Sequence, residues 1–239
     1  MSRLWWMGIL GAALAALGAA QPAARSAGPL RLLVVTGGHP YATSFYTIFE
    51  GYDDLRWDHA VSNHEAFRSD IRPGYDVLVL YDLSSEISDR ERGNLRDFVE
   101  SGKGVVVLHH AIADYNDWPW WYREVVGGRY VLKAEAGSPP STYKEGVEIS
   151  AEVVLQHPVT AGVGRLHLVD EVYGKMWISP EVKVLVKTNH PLSDGPVAWV
   201  SPYAKSRVVY IQLGHGPGAH RDPEYRKLVH NAILWTAGR

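Results

Sequence analysis

The amino-acid sequence predicts one α/β domain, with a mostly parallel, doubly wound sheet and helices on both faces. Three observations predict it. The runs "LRLLVVTGG", "YDVLVLYD" and "GVVVLHH" are continuously apolar, as strands covered on both faces must be. A capped helical stretch separates the second run from the third with short turns, the plan of a crossover between parallel strands. No repeat, heptad or linker divides the chain, so a single core is expected.

The segment 1–20, "MSRLWWMGILGAALAALGAA", has one early arginine, an apolar run from Leu4 and small residues at its end. This is the layout of a secretory signal cut after Ala20. Residues 21–29, "QPAARSAGP", read as a flexible spacer, and 30–239 as the folded domain. The alternative for the first segment is an uncleaved anchor, because its length approaches that of a membrane span. Cleavage predicts an exported protein, periplasmic or extracellular, without stable membrane insertion.

"LRLLVVTGG" is the first strand and "SFYTIFEG" a short helix candidate. After the strand "YDVLVLYD", Ser88 and Glu91 form a capping box, Leu95, Phe98 and Val99 supply a helical apolar face, and Gly102 supplies the stop. "GVVVLHH" is the next strand. "DWPWWYREVVGG" reads as a short aromatic helix with Pro119 near its first turn, and "LKAEAGSPPSTYKEG" as an excursion or lid-like loop. Later strands are predicted at "GVEISAEVVL", "VKVLVKTNH", "PVAWVSPY" and "RVVYIQLGH". "DPEYRKLVHNAILWTAG" closes the chain as a helix capped by Asp222, with Pro223 in its first turn.

Composition excludes several functions. Cysteine is absent, which removes disulfides, thiol nucleophiles, thiolate metal sites and a lipoprotein anchor. Basic residues form no dense patch, so no nucleic-acid partner is expected. The chain carries nine tryptophans and thirteen tyrosines against four phenylalanines, and such amphipathic rings suit sugar-binding clefts as well as cores. Self-association as a homo-oligomer stays open.

Three predicted strands each end in an imidazole beside small residues. "TGGHPY" delivers His39 next to Gly38, "LHHA" delivers His109 and His110, and "QLGHGPGAH" delivers His215. Ligands of open parallel sheets bind beyond the carboxyl ends of strands, so these imidazoles are expected to meet in one crevice. Each also has a plainer reading. His39 precedes proline and can simply shape a turn. One of His109 and His110 must point away from the cleft, because adjacent strand residues face opposite sides. His215 can donate to a neighbouring carbonyl. His157 and His190, each before proline, read as turn residues, and His59, His64, His167 and His230 as surface or packing. In "VDEVYGKMW", read as extended, Glu171 and Tyr173 share a face opposite Asp170. Asp114 and Asp117 lie in the aromatic loop after the paired histidines, placed to contact sugar hydroxyls.

Five motifs in order, "VVTGGHPY", "GKGVVVLHHA", "HPVTAG", "DEVYGKMW" and "RVVYIQLGHG", resemble the ThuA-like proteins, named for trehalose utilisation. The resemblance covers nearly everything from Leu30 to Arg239. It implies a fold similar to class I glutamine amidotransferases, with a flavodoxin-like sheet. It places "VVVLHHA" in the nucleophile-turn region and "YIQLGHG" in the histidine region of those enzymes. With no cysteine, glutamine hydrolysis through a thioester is unavailable, and no G-x-S-x-G replaces it. The family's association with sugar catabolism implies disaccharides or their 3-keto derivatives as substrate class.

The function expected is an exported enzyme of carbohydrate catabolism, with His39, His110, His215 and Glu171 as proton-transfer groups. Gly38, His109, Asp114, Trp118 and Tyr173 are expected to contact the sugar. Between the paired histidines, His110 falls nearer the nucleophile position of the amidotransferase pattern, with His109 as its packing partner. A divalent metal, zinc foremost, fits His39, His110 and His215, though no H-E-x-x-H spacing supports it. The alternative is a non-catalytic carbohydrate-binding protein that stacks sugar on Trp118, Trp120, Trp121 and Tyr122.

Overall fold

The structure, a computed structural model, describes residues 28–239 apart from 136 and 138. The signal segment and most of the spacer lie outside the described residues. Among those described, no helix is long and apolar enough to cross a membrane.

In chain order the strands are β1 (Leu30–Gly37), β2 (Leu55–Ala60), β3 (Val77–Asp82), β4 (Gly104–Leu108), β5 (Gly128–Arg129), β6 (Thr142–Val153), β7 (Leu166–Gly174), β8 (Trp177–Ile178), β9 (Lys183–Thr188), β10 (Pro196–Val200) and β11 (Val208–Ile211). The helices are α1 (Asn63–Phe67), α2 (Asp89–Glu100), α3 (Pro217–Arg221) and α4 (Pro223–Thr236). Among the described residues the main sheet has nine strands in the order β2-β1-β3-β4-β11-β10-β9-β6-β7, and β5 and β8 pair in a small separate ribbon. The first five strands of that order are parallel. From β11 onward every pairing is antiparallel. The sheet is therefore mixed: the parallel portion matches the expectation, and an antiparallel wing extends it.

Sequence explains the parallel half directly. All residues of β3, β4 and β11 are buried, because each face of these strands is covered. On one face pack α4, α3 and the 3-10 turn Thr43–Phe49, which stands where a short helix was expected. On the other lie α1, α2 and the wide helical turn Trp120–Val126. The predicted capping box of α2 is present in both directions between Ser88 and Glu91, and Leu95, Phe98 and Val99 are its buried face. Asp222 caps α4 by accepting the Glu224 and Tyr225 N–H groups. The short strand β2 and helix α1 lack the long apolar runs that marked the other elements, and the sequence pattern does not reveal them.

The wing is patterned differently. The middle of β6 alternates, with Ile149 and Ala151 buried and their neighbours exposed. One face is packed and the other solvated, as antiparallel sheets permit. Laid flat, the five strand spacings from β4 to β7 would separate them by roughly 24 Å. Instead the wing curls back: the Asp170 carboxylate of β7 accepts the backbone N–H groups of Gly214 at 2.7 Å and His215 at 2.8 Å, just beyond β11.

Candidate functional site

The site lies where the carboxyl ends of β1, β3, β4 and β11 meet the returning edge strand β7. Two glycines set the turns. Gly38 has φ +69°, and a Cβ there would stand 2.1 Å from the Leu83 carbonyl, so the turn carrying His39 can close on the end of β3 only with glycine. Gly214 has φ +122°, and a Cβ would meet the Tyr225 hydroxyl at 2.2 Å; this lets the turn carrying His215 lie against α4.

After β4 the backbone turns sharply. His109 adopts φ +50°, a left-handed conformation that costs a non-glycine residue of order 1–3 kcal/mol and persists where surroundings enforce it. The enforcement is visible: the Tyr210 hydroxyl donates to the His109 carbonyl at 3.1 Å, and His109 Nδ1 donates to the Gln212 carbonyl at 2.6 Å. That second bond fixes the proton on Nδ1 and turns Nε2 toward the wing. There Glu171 Oε2 lies at 3.0 Å, His215 Nδ1 at 3.1 Å and the Tyr173 hydroxyl at 3.1 Å. His215 Nδ1 is 3.4 Å from the same carboxylate oxygen. Glu171 and Tyr173 do share a face of β7, opposite Asp170, as the alternation of an extended strand requires.

Electrostatics follow from this packing. Burial alone would raise the Glu171 carboxyl, but its contacts with His109 and His215 outweigh that and hold it well below the usual carboxylate range. The same contact raises His215 above its ordinary value against the opposing effect of burial. His110 is pushed down to about 2 by burial and by the neighbouring imidazoles His109 and His39, so it is neutral. Its Nε2 donates to the Tyr81 carbonyl at 3.2 Å, leaving Nδ1 as a buried lone pair with no protein partner. His39 stacks on His110 with ring centroids 4.8 Å apart.

Above this cluster is a cleft of about 370 Å³, walled by His39 and His110 on one side and by Glu171, Tyr173, Tyr143 and Glu145 of the wing on the other, with Tyr130 and Leu132 completing it. His39, His110, Glu171 and Tyr173 thus gather as the sequence predicts, with His215 alongside, joined to Glu171. His109 differs. It is the residue at the strained turn and the hub of the polar contacts, whereas His110 lines the cleft beside it. Among the described residues, the donor set that converges tightly enough for a metal is His109, Glu171 and His215, rather than His39, His110 and His215.

Asp114 and Trp118 do not line the cleft. Asp114 is fully buried and accepts the Ser84 N–H at 2.6 Å. Trp118 packs against α2, with the Arg92 and Arg96 guanidinium groups 5.4 Å and 5.5 Å from its ring. Trp121 is buried and Trp120 sits under Arg96 and Tyr203. His157 and His190 are turn residues, accepting the Val159 and Leu192 N–H groups. Sequence reasoning missed Tyr130, Tyr143 and Glu145, and also His220. That imidazole is buried and donates to the Gly214 carbonyl at 2.8 Å, while Ser44 holds its other nitrogen at 2.9 Å. Only its place after the glycine-rich turn could have pointed to it.

A mixed α/β sheet whose strand ends join imidazoles to a buried carboxylate defines a class of small-molecule site rather than a particular activity. The ThuA model, described as trehalose utilisation, matches residues 31–236, and the chain belongs to that family. Among solved structures it is similar to a ThuA-like protein of Parabacteroides merdae ATCC 43184, at 18% identity and TM-score 0.73 over 87% of this chain and 90% of that one. A ThuA-like protein of Bacteroides uniformis ATCC 8492 is similar at 22% identity and TM-score 0.65, over 90% and 95%. A GH42 β-galactosidase from G. stearothermophilus aligns at 16% identity and TM-score 0.55, over 84% of this chain but 30% of that one. At such identities the likeness is one of fold. No curated protein matches the chain significantly.

Proposed function

We propose that this protein is an exported enzyme of carbohydrate catabolism that acts on a disaccharide or a 3-keto sugar. The observation that carries the reading is the convergence of Glu171, His215 and Tyr173 on His109 Nε2, beside a cleft that Glu171 and Tyr173 line. A strained, fully buried histidine held by two further hydrogen bonds is an arrangement that packing alone does not require. The cleft volume falls within the range of small-molecule sites, and its tyrosines offer rings and hydroxyls to a sugar.

In this reading the cluster engages the reacting oxygen of the sugar, and Glu171, ionised throughout the working range, stabilises positive charge developing on its imidazole neighbours. His110, neutral, presents a lone pair to a substrate hydroxyl, with the His39 ring stacked beside it. Amidotransferase chemistry has no nucleophile here. The strand order β2-β1-β3-β4-β11 supports a flavodoxin-like plan, in which ligands bind where the order reverses beside β1 and β3. Export rests on the N-terminal segment of the sequence. The test is a screen of untagged protein against disaccharides and their 3-keto derivatives across the neutral pH range. Turnover abolished by His110→Gln is the expected result; saturable sugar binding without turnover at any pH would replace the enzyme with a carbohydrate-binding module.

A further inference from the structure

We infer that His109, Glu171 and His215 bind one divalent transition-metal ion beside the cleft that Glu171 lines. The inference deepens the proposed function by placing an ion in the same cluster, but it stands on a separate observation, the mutual spacing of the donor atoms. His109 Nε2, His215 Nδ1 and Glu171 Oε2 lie 3.0, 3.1 and 3.4 Å from one another. Ligands at zinc bond lengths of about 2.0–2.2 Å sit about 3.3–3.6 Å apart at the corners of a tetrahedron. The triangle is close to one face of that figure and contracts or opens by only a few tenths of an ångström to become one.

The orientation of the imidazole agrees. His109 Nδ1 donates to the Gln212 carbonyl, which turns Nε2 toward Glu171 and His215. Metal-bound histidines are commonly oriented by such a bond from the other ring nitrogen to a backbone carbonyl. The donors are also rigidly held. His215 hangs from a turn pinned by Asp170 through two backbone N–H groups, and Glu171 comes from the strand that supplies Asp170. Two nitrogens and one oxygen select a borderline transition-metal ion over calcium or magnesium, which prefer all-oxygen shells. Three protein donors leave a position for water or a substrate oxygen, and Glu171 lines the cleft, the side from which such an oxygen would approach.

The test uses the untagged mature protein, stripped with a chelator and titrated with zinc chloride by calorimetry and with cobalt(II) chloride by visible absorption. The expected result is one ion per chain and the intense d–d bands of a low-coordinate cobalt site. Glu171→Gln and His215→Ala, each checked for native circular dichroism, should weaken binding at least 100-fold, while His39→Ala, outside the donor triangle, retains the ion. Should a variant fail to fold, the stoichiometry and cobalt spectrum of the wild-type chain decide. No stoichiometric zinc or cobalt in the wild type overturns the inference, and so does an ion retained by folded Glu171→Gln and His215→Ala together. Sugar turnover by metal-free protein would remove the ion from the reaction and leave the enzyme standing. A bound ion without turnover of any sugar would do the reverse.

Discussion

The two halves of the sheet divide the work differently. The parallel half is closed: β3, β4 and β11 are buried along their whole length, and helices cover both faces. Its carboxyl edge delivers the imidazoles of His39, His109, His110 and His215. The antiparallel wing is half open, with Val169 of β7 64% exposed and Tyr143 of β6 60% exposed. It delivers the carboxylate Glu171 and the phenol of Tyr173. Neither half has a complete site. The wing supplies a carboxylate and a phenol to the candidate site, and its packed side adds Ile149, Leu168, Leu185 and Val197 to the core, while the outer faces of β6 and β7 stay in water.

The largest effect that would sharpen this comparison comes from a single wing residue. Glu171→Gln keeps the shape but removes the charge that two imidazoles share, and should lower turnover of the sugar identified in the screen by about 10²–10⁴-fold; turnover near the wild-type rate would mean that the wing is only a wall. Stability should show the opposite weighting. Phe98, fully buried between α2 and the parallel strands, should cost about 3–5 kcal/mol when replaced by alanine. Val169→Ala on the open face of the wing should stay within about 0.5 kcal/mol, both read from denaturant midpoints. Comparable losses at the two positions would break the division.

A smaller, pH-dependent effect belongs to the parallel half alone. Asp82 and Asp114 are buried together at the ends of β3 and the loop after β4, where Ser84 donates its hydroxyl to one and its N–H to the other. Burial raises Asp82 to about 6 and Asp114 well above its usual value, the latter also through the charge of Asp82. A raised carboxyl means that the folded state holds the proton more tightly than the unfolded chain. The stability it contributes is present below about pH 4 and is lost as pH rises through about 6. Asp82→Asn, which mimics the protonated acid, should therefore exceed wild type in stability by on the order of 1–3 kcal/mol near pH 8 and lose that advantage near pH 4. Melting curves across that range check it, and a pH-independent difference would show that the pair does not titrate. The smallest effect is at the surface. The ion pair between Arg92 and Asp117 is 3.0 Å long with Asp117 mostly exposed, and Asp117→Asn should change stability by no more than about 0.5 kcal/mol.

The candidate site is partly legible in the sequence. Glycine-flanked histidines after apolar runs identify His39, the His109–His110 pair and His215 as strand-end groups, because a run of buried β-branched residues must stop where the sheet does. Alternation places Glu171 with Tyr173. Asp114 reads as a sugar contact because it is acidic and follows the histidines. Sequence pattern does not carry the close approach of the loop to β3, which buries the carboxyl beside Asp82. The aromatic segment Trp118–Tyr122 likewise resembles a stacking surface, but Trp118 and Trp120 pack against the arginines of α2 and Tyr122 against Trp177 and Arg129, a choice set by what lies beside each ring.

By itself the sequence determined the local quantities: the both-faces burial of the parallel strands, the caps of α2 and α4, the turns that only glycine permits at Gly38 and Gly214, and the absence of a thiol. Each depends on a few neighbouring residues and on the period of the pattern. The tertiary structure alone decided that His109, rather than His110, is the hub, because the choice rests on a φ of +50° enforced by Tyr210 and Gln212, at the end of the neighbouring strand β11 but far along the sequence. It alone brought Glu171 to that imidazole. Strand order sets β7 five spacings from β4, and only the curl of the wing, pinned by Asp170 on the turn after β11, reduces that separation to a hydrogen bond.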